Sequence, residues 1–203
     1  QVGHASAPKP GAPIDRLASA CRNMVEHPFK LKLTAPAAEM FDTLGRYSSF
    51  VYKIIFSNIK LFLPVLDMIC KSVGGEMNAL MRTTVAFTQA QGSSATNVIP
   101  PEASLVSNIR LNPADNMDAM LAYLNKTVDD EGVEITVEGG MNPSRISTTD
   151  CEGWEKVSAA VAETWRGCIV SPYLMVQCSD SRHYGRISDK VFRFSAMDLT
   201  AAE

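Results

Sequence analysis

The chain has few of the features that mark membrane, nucleic-acid-binding or disulfide-stapled proteins. No apolar run reaches the roughly 18 residues that a membrane span needs, because Lys53, Lys60, Pro64 and Asp67 interrupt the most apolar stretch, residues 50–69. Basic residues number 19 against 22 acidic ones, so the formal net charge is −3. A nucleic-acid partner normally requires a basic surface. We therefore expect no nucleic acid and no membrane as a partner.

Cysteine and histidine are also scarce. The five cysteines are odd in number and form no Cys-x-x-Cys pair, which fits neither a zinc knuckle nor a disulfide framework. We expect reduced thiols in a cytoplasmic protein. The three histidines lack zinc-helix spacing, and neither a Gly-x-Ser-x-Gly elbow nor a phosphate-binding glycine loop occurs. Ser179, Asp180 and His183 are too close in sequence to form a catalytic relay.

What is present is a hydrophobic pattern that predicts an α+β domain over residues 1–138. Helical spacing of apolar residues predicts helices at 14–25 and 117–128, and alternation predicts strands at 83–88, 103–111 and 133–137. A helical block at 37–73 interrupts this order and ends at two glycines. The order matches a ferredoxin-like βαββαβ sandwich whose first strand lies mostly upstream of Gln1 and looks truncated.

Residues 139–203 form a second predicted unit after a glycine- and proline-containing linker. The pattern predicts a helix at 154–165 and buried strands at 169–176 and 191–194. About 60 residues hold a good core poorly on their own. We therefore expect part of a larger α/β domain.

Four polar residues are candidates for chemistry, although each also has an ordinary interpretation. His4 lies in a loop of small residues before a helix, where a histidine is often a surface residue. Arg110 is on the polar side of a predicted strand, where an arginine is commonly solvated. Asn97 precedes a strand, where asparagine often forms a turn. His183, beside Arg182 and Tyr184, is equally compatible with a functional or a structural role.

Read together, the polar segments resemble a known family. These segments are Gly-His-Ala-Ser-Ala-Pro at 3–8, Asn-Val-Ile-Pro at 97–100, Arg110 thirteen residues after Asn97, Cys-Ser-Asp-Ser-Arg-His-Tyr at 178–184, and Phe-Arg-Phe-Ser-Ala at 192–196. The set is similar to the dinuclear-zinc exopeptidases that include aminoacylase, carboxypeptidase G and carboxypeptidase S, and most similar to the carboxypeptidase S branch. A helical insertion like 37–73 is also a trait of that branch.

The resemblance implies a zinc-dependent hydrolase of amide bonds next to a free carboxylate, acting on N-acyl amino acids or dipeptides. In this reading residues 1–138 are the lid, or dimerisation, domain, and 139–203 are the C-terminal part of the catalytic domain. His4 would stabilise the oxyanion, and Asn97 and Arg110 would bind the substrate carboxylate. Two zinc ions would be held by residues outside this chain, so we expect the isolated fragment to bind no zinc stoichiometrically and to be inactive. A homodimer through the lid is a further implication, with the histidine crossing to the partner subunit's site in dimeric relatives.

Two departures and two alternatives accompany this reading. Where the family has glycine and threonine before the aspartate, this chain has Cys178 and Ser179, which would line the substrate site differently. The main alternative is a non-catalytic ferredoxin-like module for dimerisation or ligand sensing. The helical block is either an ordinary packed hairpin or an insertion that faces a substrate or partner. A sub-hypothesis is that residues 50–69 line a site for an acyl chain.

Overall fold

The computed structural model describes residues 3–195, and the chain divides into two compact units. One unit comprises Gln1–Leu33 with Leu63–Pro143, and the other comprises Thr34–Phe62 with Ser144–Glu203. The elements are β1 Gly3–His4, α1 Pro13–Glu26, α2 Ala35–Tyr47, α3 Phe50–Ser57, α4 Ile59–Val73, α5 Gly75–Met81, β2 Thr84–Gln91, β3 Val98–Ile99, β4 Ser104–Arg110, α6 Met117–Val128 and α7 Glu152–Thr164, followed by a 3-10 helix at Asp180–Arg186. Helices and short antiparallel strands together confirm the α+β class.

The local sequence specifies both ends of helix α1. Pro13 opens it, since a proline at the first helical position loses no intrahelical hydrogen bond. The helix stops at Glu26 because His27 precedes Pro28, and a residue before proline avoids the helical region. The His27 amide closes the last turn by donating to the Asn23 carbonyl at 2.9 Å. The predicted helix at 14–25 is therefore confirmed.

Helix α6 packs beside α1 and contributes Met120, Leu124 and Val128 to the buried core of the first unit. The Asn116 side chain caps it by accepting a hydrogen bond from the Ala119 amide at 2.8 Å. Met120 and Leu124 are buried with Phe29, and the ring of Tyr123 lies 4.5 Å from that of Phe29. The helix ends where Asp129 adopts a left-handed conformation with φ of 47°.

Strands β2 and β4 form the predicted antiparallel hairpin. Thr84 is paired with Arg110 at one end and Gln91 with Ser104 at the other, with a register shift between Phe87 and Gln89. Leu105, Ser107 and Ile109 alternate along β4 with exposed residues, as expected for a sheet covered on one face. The hairpin therefore directs Arg110 away from the core.

The strand predicted at 133–137 does not form. Within the described residues β4 pairs with β2 alone, so no ladder reaches this segment. A strand needs a neighbour to satisfy its backbone hydrogen bonds, which alternation alone does not supply. Ile135 nevertheless packs against the core of the first unit, which explains the apolar alternation. The truncated first strand predicted upstream lies outside the described residues.

Hydrogen bonds and an ion pair surround Arg82 in the first unit, where its side chain is only 1% exposed. Its guanidinium donates to the Phe29 carbonyl at 3.0 Å and pairs with Asp67 of α4 at 2.5 Å. Lys71 approaches the other oxygen of the same carboxylate at 2.7 Å. The ion pair therefore links the second half of α4 to the residues that lead into β2.

The second unit contains α2, α3, the start of α4 and α7. Phe41 of α2 stacks on Phe56 of α3, with ring centroids 5.4 Å apart. The predicted helical block is confirmed, as three helices rather than a hairpin. The helix predicted at 154–165 is confirmed as α7.

The buried strands predicted in the second unit are wrong. Residues 169–176 and 191–194 form no strand, and their side chains are exposed or half-buried. In residues 173–177 exposed and half-buried side chains alternate. This is the pattern of an extended segment with one covered face, and it explains why the sequence read as a strand.

Gly45 is a position of close approach between α2 and α3. A Cβ at this residue would lie 2.7 Å from the Cβ of Phe56, an atom that moves only with its backbone. We expect Gly45→Ala to destabilise the second unit by about 1–3 kcal/mol through overpacking, despite alanine's higher helix propensity. Urea unfolding followed by circular dichroism measures this change.

Gly153 of α7 provides the matched control. A Cβ there would lie 3.5 Å from the Phe192 ring, an ordinary contact. Gly153→Ala should therefore leave stability unchanged or raise it by up to about 1 kcal/mol. Equal effects of the two substitutions would contradict the close approach at Gly45.

No helix in the described part of the chain combines the length and the apolar character needed to cross a lipid bilayer.

Candidate functional site

A short ladder brings together two of the residues singled out in the sequence. Strand β1 pairs antiparallel with β3, so that Gly3 lies opposite Ile99 and His4 opposite Val98. The Ala5 amide then donates to the Asn97 carbonyl at 2.9 Å. His4 and Asn97 are therefore held on neighbouring segments of the first unit, although 93 positions separate them in the chain.

The imidazole of His4 is exposed rather than packed in the core of its unit. Its Nδ1 lies 2.8 Å from the Ser6 hydroxyl and 3.2 Å from the Ser6 amide. The Ala7 amide donates to the His4 carbonyl at 3.1 Å and closes the turn. The loop thus leaves Nε2 as the ring nitrogen available to another molecule.

Arg110 belongs to the other ladder, at the end of β4 that faces the start of β2. Ser104 lies at the opposite end of β4, six residues away, so about 20 Å of extended strand separates it from Arg110. A buried polar network follows it: the Asn112 amide donates to the Thr83 hydroxyl at 2.9 Å, and that hydroxyl donates to Asp115 at 2.5 Å. Lys32 pairs with the same carboxylate. These bonds fix the backbone that carries Arg110.

Cys178 and Ser179 lie in the second unit, just before the 3-10 helix. The Ser179 side chain caps that helix by accepting from the Ser181 amide at 3.3 Å. The Cys178 thiol is exposed. Within the same unit Arg193 donates to the Ser181 hydroxyl, so the 178–184 and 192–196 segments are in contact. The last residue of the second segment lies outside the described residues.

The described residues do not suit a metal ion. Among residues 3–195, no group of three or more His, Cys, Asp or Glu side chains is arranged to hold one. None of the five cysteines, all of which lie in the described residues, forms a disulfide bond. Burial raises the pKa of the Cys70 and Cys21 thiols, which makes these two poor ligands and poor nucleophiles.

A half-open groove of about 340 Å³ lies in the first unit, away from the candidate residues. Its walls include His27 and Phe29 after α1, Arg82, and Tyr123 of α6, and none of His4, Asn97 or Arg110 lines it.

Ser6 is the residue that the sequence reading overlooked. Its two hydrogen bonds to the His4 ring are visible only in the structure. The available signal was a serine two positions after a histidine, since serine commonly bonds to groups close by in sequence.

Comparison with known proteins identifies the class. Residues 1–136 match the peptidase dimerisation domain of the M20 peptidases. The match covers most of the chain, and the chain belongs to the M20 peptidase family.

Individual relatives refine the comparison. The chain is 30% identical over 198 residues to a carboxypeptidase S-like protein of Dictyostelium discoideum, a match that covers 97% of the chain and 38% of the relative. It is 32% identical over 202 residues to the N-fatty-acyl-amino acid synthase/hydrolase PM20D1 of Xenopus tropicalis, covering 97% and 39%. The human PM20D1 is 26% identical over 196 residues, covering 95% and 39%. The chain thus spans about two fifths of the length of these relatives, and no solved structure matches it.

Proposed function

We propose that this chain is the lid and part of the catalytic domain of a zinc-dependent hydrolase, which cleaves an amide bond next to a free carboxylate. The observation that carries the proposal is the β1–β3 ladder, because it presents an exposed His4 beside Asn97 within a peptidase dimerisation domain. The carboxypeptidase and N-acyl-amino-acid hydrolase names of the relatives support the same bond type.

In this proposal His4 is the electrophilic group of the lid. An imidazole Nε2–H donates to the carbonyl oxygen of the scissile amide as negative charge develops on it. Such a donor works best when it is already aimed, because no energy is then spent on orienting it during the reaction. The β1–β3 ladder and the turn at Ala7 provide that aim.

Arg110 and Asn97 bind the free carboxylate of the substrate. A guanidinium pairs with a carboxylate through two parallel hydrogen bonds, and an asparagine amide adds a further donor. Arg110 is on the exposed face of β4, and the Thr83–Asn112–Asp115 network fixes the strand end. The match to a peptidase dimerisation domain supports a homodimer in which the lid of one subunit serves its partner.

In the proposed parent enzyme two zinc ions are held by residues outside this chain, as the family resemblance implies. When bound, zinc supplies an activated water molecule. The chain's own residues bind the carboxylate, orient the amide and stabilise the oxyanion. Cys178 and Ser179 line the substrate site in the second unit, where serine retains a hydroxyl and cysteine adds an apolar side chain.

Two finer features complete the proposal. Residues 1–138 form the lid domain in a ferredoxin-like arrangement with the helical insertion at 37–73, and residues 139–203 belong to the catalytic domain. The five free thiols support a cytoplasmic location.

The proposed substrate class is N-acyl amino acids, with an apolar acyl group. The second unit exposes large apolar side chains in α3 and at the start of α4, including Phe50 and Leu61, each 76% exposed. Apolar surface of this extent commonly marks a binding site. The relatives named as N-fatty-acyl-amino acid hydrolases point to the same substrate class.

The test is an assay of the full-length protein on N-acyl amino acids of short and long acyl chains and on dipeptides, with and without a metal chelator. We expect hydrolysis that the chelator abolishes and that added zinc restores, with higher kcat/KM for the long acyl chains. The absence of hydrolysis of every substrate by zinc-loaded protein would favour the non-catalytic dimerisation or ligand-sensing module. Equal kcat/KM for short and long chains would remove only the acyl site.

Replacing Arg110 tests carboxylate recognition directly. We expect Arg110→Gln to raise KM by about 30-fold or more, since losing one partner of a charge pair costs roughly 2–5 kcal/mol. The wild-type protein should also prefer a substrate with a free carboxylate over its carboxamide, and the variant should not. Steady-state kinetics on both substrates measures this preference.

Arg22→Gln is the matched control for this substitution. Arg22 is an exposed helical arginine paired with Glu26, so its loss should leave both KM values unchanged. If Arg110→Gln kept the preference for the carboxylate, Arg110 would have no part in recognition.

A further inference from the structure

The hydrogen bonds of the His4 ring determine which of its nitrogens carries the proton. The Ser6 backbone N–H donates to Nδ1 of His4 at 3.2 Å. A backbone N–H can donate a hydrogen bond but cannot accept one. The Ser6 hydroxyl lies 2.8 Å from the same nitrogen. Nδ1 is therefore an acceptor that receives two donors from one residue.

A neutral imidazole has a single N–H, so an accepting Nδ1 places the proton on Nε2. The backbone of the loop holds this arrangement in place. The Ala5 amide donates to Asn97, and the Ala7 amide to the His4 carbonyl. Both bonds fix the direction of the intervening Ser6 N–H.

We infer that Ser6 is a positioning residue that holds His4 as the Nε2–H tautomer, so that Nε2–H is the donor presented to the substrate. This inference rests on the proposed function for its catalytic consequence, but the tautomer is a property of the chain alone. A histidine in the other tautomer would present a lone pair to the developing oxyanion and repel it.

The other two histidines serve as internal references because the structure gives them the opposite tautomer. His27 Nδ1 lies 3.0 Å from the Asn23 carbonyl oxygen, which only accepts, so Nδ1 carries the proton. His183 Nε2 accepts from the Arg182 side chain at 3.3 Å, which again places the proton on Nδ1. A single spectrum thus compares one Nε2–H ring with two Nδ1–H rings.

The first experiment is a long-range ¹H–¹⁵N correlation spectrum of the full-length protein labelled with ¹⁵N-histidine, recorded at about pH 9 so that imidazoles are neutral. Signals are assigned by substituting each histidine in turn with glutamine. We expect the Nε2–H pattern for His4 and the Nδ1–H pattern for His27 and His183. An Nδ1–H pattern at His4 would overturn the inference.

The second experiment separates the two donors of Ser6. Ser6→Ala removes the hydroxyl and keeps the N–H, and we expect kcat to fall about threefold to tenfold with KM unchanged, as for the loss of one hydrogen bond. Ser6→Thr, which keeps both donors, should retain wild-type kcat. Ser6→Pro removes the N–H as well, and should both mix the tautomers of His4 and lower kcat further.

Folding is monitored by the His27 and His183 signals, and Ser93→Ala, at another turn serine, is the control for kcat. Unchanged His4 tautomer and unchanged kcat in both Ser6→Ala and Ser6→Pro would overturn the role of Ser6. If His4 shows the Nε2–H pattern but substituting His4 leaves kcat intact, the tautomer stands and the proposed function fails.

Discussion

Replacing His4 by alanine in the full-length protein is expected to lower kcat by about 10²–10³-fold and to change KM little. Loss of one preorganised donor to an oxyanion has this effect on kcat, because the donor acts mainly in the transition state. The ring is exposed and does not support the core, so folding should be preserved. Steady-state kinetics with an N-acyl amino acid measures the change, and circular dichroism checks the fold.

His27→Ala is the matched control. His27 is also an exposed histidine of the first unit, it is bonded at the end of α1, and it has no place in the proposed site. It should leave kcat within about twofold, as a surface substitution does. A His4→Ala protein with wild-type kcat would remove the oxyanion role and with it the central step of the proposal.

Replacing Asp67 by asparagine is expected to destabilise the protein by about 3 kcal/mol, because it leaves the charge of the buried Arg82 unpaired. Arg82 is only 1% exposed, and Asp67 is its anionic partner in the structure. Urea unfolding of the full-length protein at neutral pH, followed by circular dichroism, measures the difference. Glu26→Gln, which breaks the exposed Arg22–Glu26 pair of the same unit, should cost less than about 0.5 kcal/mol.

The same carboxylate predicts a dependence on acid. The hydrogen bond from Lys71 holds the pKa of Asp67 below its ordinary value, and the hydrogen bond and charge of Arg82 act in the same direction against the opposing effect of burial. A lowered pKa contributes stability that is present above the unfolded-state value of about 4 and is lost as pH falls through the folded value. The Asp67→Asn protein should therefore lose less stability than the wild type below about pH 4. Parallel losses in both proteins would contradict the ion pair.

The sequence predicts an element well where nearby residues specify both its ends and its hydrogen-bond partners. Helix α1 has its proline at the start and a residue before proline at the end, and α6 has an asparagine cap, so local rules specify both. The hairpin of β2 and β4 is also predicted, because its two strands are close in sequence and each supplies the other's hydrogen bonds. The segments at 133–137, 169–176 and 191–194 have strand-like patterns without a ladder in the described chain, and their patterns misled the prediction.

The candidate site shows the same division. The motif segments resemble those of a known family, and this resemblance implies a hydrolase that recognises a carboxylate, with site residues His4, Asn97, Arg110, Cys178 and Ser179. Only the tertiary structure decides that Asn97 lies beside His4, that Arg110 lies on another ladder, and that the Ser6 N–H donates to Nδ1 of His4. The reason is physical: residue type and local spacing are properties of the sequence, whereas the direction of a hydrogen bond depends on how the folded backbone places its donor and acceptor.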